Sequence, residues 1–430
     1  MNSFFRLSLP CLVMSCVASI ADDWPRFRGP SGSGIASTSD SLPSDWSPTD
    51  NLAWKTLLPG PGASSPIIVG EKVLVTCYSG YGLKRQDPGE IENLVRHLVC
   101  IDLNTGEKLW QKDVKASQPE DPYDNSGVSS HGYATHTPAS DGINVYCFFG
   151  KGGVHAFDLN GNKLWKADAG NGSDPPRWGS SSSVIVFGST VIVTASAESR
   201  SIIGFDKTTG RRLWRHKSTG LDGMWGTPAM INVDPNRVDL VMLVAQELWG
   251  LDPTNGKIRW RANATDSQQA YTSIIAQGKR VFAFSGQGGG SIALDIVGDR
   301  TKTVWTSNVY ATYASPVRYR DRVYVISKRI LTVVDANSGE RLQRLRLKGS
   351  RQIGNARFGS LDYASPVVVG NRLFWLNASG QMYVFRLDEQ IRQMAVNEVA
   401  TENEVFWGSP AVSRGRMVLR SSKFLYCIAD

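Results

Sequence analysis

Three of the five histidines lie close together in the sequence and are the residues best suited to bind a metal ion: His97, His131 and His136. Imidazole nitrogens bind Zn²⁺ and related ions when the chain presents several of them at a rigid spacing. The sequence has no HExxH motif or comparable ligand spacing. It therefore favours solvated loop histidines over a metal site, and we predict no metal.

Glycine-rich stretches suggest phosphate binding at first sight. GQGGG from Gly286 and GKGG from Gly150 align with each other, and each precedes a strand-like run, as a hairpin turn does. GxSxG, Walker A and paired-carboxylate motifs are absent from the sequence. We therefore predict no catalytic residue from motifs.

Aromatic residues at a fixed offset are better candidates for a binding surface. A small residue before a proline recurs at Pro66, Pro138, Pro228, Pro316, Pro366 and Pro410, with Ser181 and Ile274 as degenerate equivalents. Three residues before six of these positions stand Trp178, Trp225, Tyr271, Tyr313, Tyr363 and Trp407. Arg177, Arg351 and Arg357 lie nearby in the sequence. Rings and cations together could hold a flat or anionic ligand.

The elements that must position these residues are short antiparallel strands. One phrase recurs as DLNTGEKLW from Asp102, DLNGNKLW from Asp158, DKTTGRRLW from Asp206 and DPTNGKIRW from Asp252. Each copy follows runs rich in Val, Ile and aromatic residues, which are typical of strands. The Thr-Gly or Asn-Gly pair supplies a turn residue that tolerates positive φ, and the stretch before Trp opens another strand. One repeat therefore predicts one four-stranded antiparallel sheet.

Eight such repeats predict an all-β, eight-bladed β-propeller. Repeat starts are roughly 40 to 50 residues apart, except for a longer first repeat. The last copy stops at Asp430, before a fourth strand. NLAWKTLL, residues 51–58, places Trp54 where other copies place tryptophan, so we expect this N-terminal strand to close the ring.

Strand direction places several loops on one face of the predicted propeller. The turn between a blade's second and third strands and the connection to the next blade lie on the same side, which we call the top face. Two insertions of blade one, residues 78–97 and 113–134, should lie there side by side. Since the first strand of each blade lines the central channel, the six aromatic residues either surround its upper mouth or pack between blades as core.

The repeats resemble the eight-bladed propellers of the pyrroloquinoline quinone (PQQ) dehydrogenase type, whose blades carry a tryptophan-docking motif of the form AxDxxTGxxxW. The resemblance covers about residues 51–430. It implies that six indoles are wedged between adjacent blades: Trp54, Trp110, Trp165, Trp214, Trp260 and Trp305. Gln343 replaces the tryptophan in blade six and blade seven lacks the motif, which implies weaker docking there.

This family includes quinoprotein dehydrogenases and noncatalytic propellers similar to BamB. A PQQ site needs an aromatic floor, several cations and a calcium ion held by carboxylate or amide oxygens. The residues available for calcium are Asp174, Asp222, Asp266, Asn355 and Asp362, and none lies in a matching family motif. The vicinal cysteine pair of many quinoprotein alcohol dehydrogenases is absent. We therefore favour a noncatalytic binding or scaffold propeller, with a PQQ- and calcium-dependent dehydrogenase of alcohols or sugars as the alternative.

The N-terminal residues predict export. In residues 1–21, Arg6 precedes the apolar run LSLPCLVMSCVASI, and Ser19 and Ala21 flank a plausible cleavage site. We expect a cleaved signal peptide and a periplasmic or secreted protein, with a lipid anchor at Cys16 as the less favoured alternative. No apolar run approaches the ~20 residues of a membrane-spanning helix, so we expect no transmembrane segment.

Four cysteines follow the predicted signal peptide, without a CxxC pair: Cys77, Cys100, Cys147 and Cys427. Each lies in a strand-like apolar run, which favours buried thiols. Export would also permit a disulfide, for instance between Cys77 and Cys100.

Positive charge is concentrated in one region. The net charge is +8, and residues 318–357 contain eleven Lys or Arg against three Asp or Glu. In RLQRLRLKGSR, the side chains of Arg344, Arg346 and Lys348 should share one face of the outermost strand of blade six. They either protect a sheet edge from pairing or meet an anionic ligand or an envelope protein. We expect a monomer that binds no nucleic acid.

The segment between the signal peptide and the propeller, residues 22–50, is rich in glycine and proline. Trp24, Phe27, Arg26 and Arg28 are nevertheless costly residues to leave loose in solvent. We therefore expect WPRFRGP to dock across the face opposite the aromatic residues and to cover the lower mouth of the channel.

Overall fold

A computed structural model describes residues 23–36, 42–117, 119–124, 131–286, 288–349, 362–400 and 404–430. The strands in this part of the chain form eight four-stranded antiparallel sheets, the blades of a propeller. The predicted fold class is confirmed. The predicted signal peptide, including Cys16, lies outside the described residues.

The strands follow the chain in blade order. The first is β1 (Leu52–Leu57). Blades one and two contain β2 (Ile67–Val69), β3 (Lys72–Ser79), β4 (Val95–Asp102), β5 (Lys108–Lys115), β6 (Ala139–Ser140), β7 (Asn144–Phe148), β8 (Val154–Asp158) and β9 (Lys163–Ala167). Blades three and four contain β10 (Ile185–Phe187), β11 (Thr190–Ala195), β12 (Ser201–Asp206), β13 (Arg212–Lys217), β14 (Ala229–Asp234), β15 (Arg237–Leu243), β16 (Glu247–Leu251) and β17 (Ile258–Asn263).

The second half continues the same pattern. Blades five and six contain β18 (Ile275–Gln277), β19 (Arg280–Phe284), β20 (Ser291–Val297), β21 (Arg300–Ser307), β22 (Val317–Tyr319), β23 (Arg322–Ser327), β24 (Ile330–Asp335) and β25 (Arg341–Arg346). Blades seven and eight contain β26 (Val367–Val369), β27 (Arg372–Leu376), β28 (Gln381–Arg386), β29 (Arg392–Glu398), β30 (Ala411–Ser413), β31 (Arg416–Arg420) and β32 (Phe424–Ile428). Short helical turns occupy Ile91–Asn93, Gly150–Gly152, Ser196–Ser199 (α1) and Thr219–Leu221.

The N-terminal strand closes the ring. β1 pairs antiparallel with β32, so that the sheet of blade eight runs β1-β32-β31-β30. Trp54 lies opposite Cys427 in this pairing. The closure predicted for residues 51–58 is therefore present, and the edge of β32 is covered.

The recurring Asp–Gly–Trp phrase joins neighbouring blades. Asp102 Oδ1 accepts hydrogen bonds from the backbone N–H groups of Asn104 and Thr105 at 2.8 and 2.9 Å, which fixes the turn before Gly106. Gly106 has a φ of 75°, and a Cβ added there would lie 2.7 Å from the ring of Trp54 in the adjacent sheet. The Trp54 indole N–H donates to the Leu103 carbonyl at 2.8 Å. Glycine thus provides the turn and the room for the indole.

Other blades repeat or modify this contact. Indole N–H groups donate to the next blade from Trp110 to Leu159, from Trp165 to Lys207 and from Trp305 to Ala336. Trp260 instead donates to Asp239 of its own blade at 2.8 Å, and the buried Trp214 indole N–H has no partner in the described part of the chain. Gln343 exchanges two hydrogen bonds with the backbone of Ile391, so blades six and seven are joined by an amide instead of an indole.

The core lies between adjacent sheets, and the cysteines are part of it. Cys77, Cys100, Cys147 and Cys427 are separate, buried thiols. Burial raises the pKa of Cys77 and of Cys100 to about 12. The protein therefore carries them as inert neutral groups, in agreement with the expectation of thiols.

Candidate functional site

The six aromatic residues form a continuous arc at the top face. Ring centroids of successive members are 5.3 Å apart for Trp178 and Trp225 and 5.1 Å for Trp225 and Tyr271. The arc continues with 5.1 Å from Tyr271 to Tyr313, 5.2 Å from Tyr313 to Tyr363, and 6.3 Å from Tyr363 to Trp407. All six are half-buried and line one cavity. We call this cavity the aromatic cup.

The alignment of blade three needs a correction. β10 begins at Ile185 as β2 begins at Ile67, so Val184 is the counterpart of Pro66 and the predicted equivalent Ser181 is wrong. Ser181 takes the position three residues upstream, where blades four to eight carry the aromatic residue, and donates to the Trp225 carbonyl at 3.2 Å. Trp178 reaches the arc from farther back in the same connection. The sequence offset was therefore accidental in this blade, although the residue is in the arc.

A ring of hydroxyl groups lies beneath the aromatic arc. Each blade contributes the residue before its first strand's proline or equivalent: Ser65, Thr137, Ser183, Thr227, Ser273, Ser315, Ser365 and Ser409. The backbone N–H of each member donates to the side-chain oxygen of the next, at 2.8 to 3.3 Å, around the complete circle. Within the described part of the chain none of these hydroxyls donates to another residue. Their O–H groups are therefore available to the cup.

The floor of the cup is formed by the N-terminal segment 23–36, which we call the plug. Trp24 is 1% exposed and exchanges two backbone hydrogen bonds of 2.9 Å with Ile68 in β2. Farther along, the Val368 N–H in β26 donates to Gly34 at 2.8 Å. Phe27 lines the cup from below. The inner edges of the first strands have unused backbone groups, and the plug satisfies some of them, so the segment docks on the propeller as the sequence predicted.

The cup is about 160 Å³ in volume and is lined by the aromatic arc, the hydroxyl ring, Phe27 and the residues of blades one and two. Ala63 and Thr135 occupy the arc positions of these two blades. His131 fills part of the gap, with its imidazole nitrogens 2.7 Å from Thr135 Oγ1 and 2.5 Å from the Trp178 carbonyl. Burial lowers the pKa of His131, so its ring is neutral at ordinary pH. The lining described here contains no carboxylate.

The insertions of blade one pack beside the cup, as predicted. Tyr133 of the second insertion contacts Tyr78 and Tyr81 of the first, with centroids 5.3 and 5.8 Å away. Arg96 and Glu120 form a buried ion pair of 2.7 Å that ties the two segments together. These contacts join the described parts of the two insertions beside the cup.

The prediction that these histidines lie in loops exposed to solvent is wrong. His97 and His136 are only 4% and 6% exposed, and each has polar partners. His97 lies 2.7 Å from both Ser79 Oγ and Asp113 Oδ1, and His136 lies 2.9 Å from Ser180 Oγ. The insertions fold over blade one and bury these side chains, which a loop assignment could not show.

A small polar pocket adjoins the cup between blades two and three. His131 and Trp178 line both cavities. One of its buried acids is Glu198 in α1, whose two carboxyl oxygens lie 2.8 Å from Ser180 Oγ. Burial raises the pKa of Glu198 to about 7, repulsion from Asp174 adds to this effect, and the Ser180 hydrogen bond and Lys151 oppose it. Sequence reasoning missed this acid because Glu198 lies in no recognisable motif.

The remaining predicted site residues do not converge on a metal site. Arg177 is exposed, and Arg351, Arg357 and Asn355 lie outside the described residues. Asp174 accepts backbone hydrogen bonds from Trp178 and Gly179, and Asp222 pairs with Arg200 at 2.9 Å. In the described ranges no group of three or more His, Cys, Asp or Glu could hold a metal ion. No described helix has the length and apolar character needed to cross a membrane.

Fold and site define the class of protein: an eight-bladed, PQQ-like β-propeller with a closed aromatic cup at its top face. A sequence model of the family described as outer membrane protein assembly factor BamB matches residues 95–345, more than half of the chain. The chain belongs to this family. No curated protein sequence matches it.

Solved structures share the fold at low sequence identity. BamB from Moraxella catarrhalis superimposes with a TM-score of 0.61 at 16% identity, covering 88% of this chain and 97% of that one. A quinohemoprotein alcohol dehydrogenase from Comamonas testosteroni has a TM-score of 0.61 at 12% identity, covering 95% and 81%. A europium-containing methanol dehydrogenase has a TM-score of 0.58 at 12% identity, covering 93% and 89%. These likenesses describe the fold alone.

Proposed function

We propose that this protein is an exported, noncatalytic binding propeller of the cell envelope that takes a ligand or a partner's side chain in the aromatic cup. The cup is the observation that carries the proposal. Six half-buried rings, available hydroxyl donors and Phe27 of the plug form a preorganised concave site. Core aromatic residues would instead be fully buried, as Trp24 and Trp375 are.

The proposed partner is an envelope protein or an anionic ligand. Membership of the BamB family supports an envelope protein, and the basic face of blade six supports an anionic ligand. β25 is the outermost strand of its sheet, and its Arg344 and Arg346 side chains are exposed. Export rests on the predicted signal peptide and is tested by sequencing the N-terminus of the protein recovered from the periplasm. A mature N-terminus at Asp22 would support it, and an uncleaved cytoplasmic chain would contradict it.

The binding proposal is tested with a double variant of the arc, Trp225→Ala and Trp407→Ala. Both rings are half-buried at the cup, so the variant should keep its fold while losing a partner captured by the wild type from envelope extract. A matched control is Leu57→Ala with Leu342→Ala, which removes apolar groups 68% and 46% exposed outside the cup. Loss of the partner by both double variants, or unfolding of the arc variant, would contradict a binding role.

A PQQ-dependent dehydrogenase is the second candidate, because two of the similar folds are alcohol dehydrogenases. The cup provides only some of the groups that a PQQ and calcium site needs. Its rings could face a flat quinone, but calcium requires several oxygen ligands including carboxylates, and the described lining offers hydroxyls. Incubation with PQQ and calcium tests this candidate: a gain of quinone absorbance and dye reduction with alcohols or sugars would replace the noncatalytic proposal.

A further inference from the structure

A buried arginine of the plug has no counter-charge. Arg28 is 1% exposed. Its Nη2 donates to the carbonyls of Ser33 and Pro316, while Nε and Nη1 have no partner in the described part of the chain. No described carboxylate forms an ion pair with it. Burial lowers its pKa to about 10, so the guanidinium remains charged at neutral pH. An uncompensated buried charge is strongly destabilising, which indicates that an anion accompanies it.

This guanidinium lies next to the hydroxyl ring, outside the lining of the cup. Its acceptor Pro316 follows the ring member Ser315, and one residue along a strand is a step of about 3.3 Å. Arg28 also lines a small cavity together with Thr227 and Ser273, two further ring members. The charge is therefore on the side of the ring formed by blades four to six.

A second uncompensated arginine adds to the positive potential. Arg420 in β31 is fully buried, donates from Nη1 to the Ser64 carbonyl at 3.1 Å, and has no described partner for Nε or Nη2. Ser64 precedes the ring member Ser65. Burial lowers the pKa of Arg420 to about 10, so it also remains charged. Neither arginine lines the cup itself, but with no carboxylate in the described lining their charges make its base electropositive.

We propose that the base of the aromatic cup is a carboxylate-binding site. The hydroxyls of Thr227 and Ser273 and the guanidinium of Arg28 hold the carboxylate, and a single ring attached to it lies within the aromatic arc. The size agrees with this assignment, because the cup is about 160 Å³ and a cavity of roughly 150 Å³ accommodates benzene. The inference rests on the proposed binding function and names its ligand class: an aromatic monocarboxylate, free or at the C-terminus of a peptide.

The test compares an acid with its neutral isostere. Isothermal titration calorimetry of the protein from residue 22 onward should show phenylacetate binding at least ten-fold tighter than phenylacetamide. Arg28→Met should weaken phenylacetate at least ten-fold and make the two affinities equal. The control is Arg212→Met, which removes an exposed guanidinium of β13 that lines neither the cup nor the small cavity. It should change the affinity less than two-fold.

A second variant separates binding from the structural role of the plug. If Arg28→Met lowers the melting temperature, Ser273→Ala tests the carboxylate site instead. This variant removes a hydroxyl of the ring and leaves Arg28 and the plug intact. It should lower the preference for phenylacetate over phenylacetamide several-fold. An unchanged preference in Ser273→Ala together with Arg28→Met would contradict the proposal.

Two peptides distinguish a small free acid from the C-terminal carboxylate of a protein partner. A tetrapeptide ending in phenylalanine with a free carboxylate should bind more tightly than phenylacetate if partners insert a C-terminus, and more weakly if the ligand is a small acid. Its C-terminal amide should bind at least ten-fold more weakly than the free peptide in the first case. Either order supports the carboxylate site.

Failure of this inference differs from failure of the proposed function. Equal binding of phenylacetate and phenylacetamide, both lost in Trp225→Ala with Trp407→Ala, would keep the cup as a binding site and refute the carboxylate. Heat from chloride alone, with none from phenylacetate, would also refute it. Absence of any binding, together with partner capture that survives loss of the arc, would overturn both.

Discussion

At the scale of single residues, the repeated Asp–Gly–Trp phrase joins adjacent blades, and the candidate binding residues lie outside it. Aspartate fixes a turn, glycine supplies positive φ, and tryptophan packs on the glycine of the next blade. Gly210 in blade three shows this pairing, because a Cβ there would lie 2.6 Å from the ring of Trp165. The phrase therefore explains why blades stack in order, and it predicts where substitutions are least tolerated.

Two glycines of blade three separate backbone strain from crowding. Gly210 and Gly188 have φ of 73° and 55°, but a Cβ at Gly188 would have no neighbour within 4 Å. Gly188→Ala should cost about 1 kcal/mol for its left-handed backbone. Gly210→Ala should cost a further ~1–3 kcal/mol because the methyl displaces Trp165. Urea unfolding measures both, and equal losses of unfolding free energy would contradict the docking role of glycine.

The buried acid of the side pocket predicts a pH-dependent stability. Burial raises the pKa of Glu198 from its ordinary value of 4.5 to about 7, so the folded state prefers the protonated form. Its stabilising contribution is complete below pH 4.5 and is lost as pH rises through about 7. Burial lowers the pKa of His136 to about 3, so this neighbour across Ser180 stays neutral in that window.

Glu198→Gln tests this assignment, because the amide oxygen can accept the hydrogen bond that the Ser180 hydroxyl donates to the carboxyl group. The variant should match the wild type at pH 5 and exceed its free energy of unfolding at pH 8 by on the order of 1–3 kcal/mol. Thermal or urea unfolding at the two pH values measures the difference. A difference that is the same at both values would show that Glu198 does not titrate in this range.

The sequence predicted the arc of the cup better than its base. Aromatic rings at a nearly constant offset stand out in the sequence, whereas a small residue before a proline does not by itself predict a ring of hydroxyl groups. The sequence signal of that ring is that all eight positions are Ser or Thr. Arg28 could not be placed from sequence, because its lack of a counter-charge depends on a docked conformation.

At the scale of elements, the plug converts an open channel into a cup. Its extended backbone bridges β2 through Trp24 and β26 through Ile35. Docking of the plug could be anticipated because exposed Trp and Phe side chains are costly. Its path from blade one to blade seven could not, because it depends on free strand edges that only the folded ring presents. The plug therefore belongs to the binding site as much as to the fold.

Proteolysis distinguishes a docked plug from a tether. Because Arg28 is buried and Arg26 is held by Pro30, trypsin should cleave after them slowly in the native wild type. Trp24→Ala removes the most buried ring of the plug and should accelerate both cleavages at least ten-fold. Mass spectrometry of timed digests provides the measurement. Rapid trimming of the wild type to residue 29 with an unchanged melting temperature would mean that the segment does not dock.

At the scale of the whole molecule, stability comes from a closed circle of near-equivalent contacts. Each blade buries both faces against its neighbours, and the hydroxyl ring links all eight inner strands through one unbroken set of hydrogen bonds. The joint between blades six and seven has the amide of Gln343 in place of an indole. Opening a ring of this kind breaks one interface and exposes two blade faces, so the closing strand matters more than its six residues suggest.

Two truncations separate closure of the ring from closure of the cup. Starting the chain at residue 51 removes the plug but retains β1, so the protein should remain folded and monomeric while its channel opens at the bottom. Starting at residue 59 also removes β1, exposes the edge of β32 and deletes Trp54, which is 8% exposed and donates to Leu103. This protein should lose several kcal/mol of unfolding free energy or aggregate. Size-exclusion chromatography and thermal melting compare the two. If the chain starting at residue 59 melted like the chain starting at residue 51, β1 would be dispensable and the propeller would be held by its other interfaces alone.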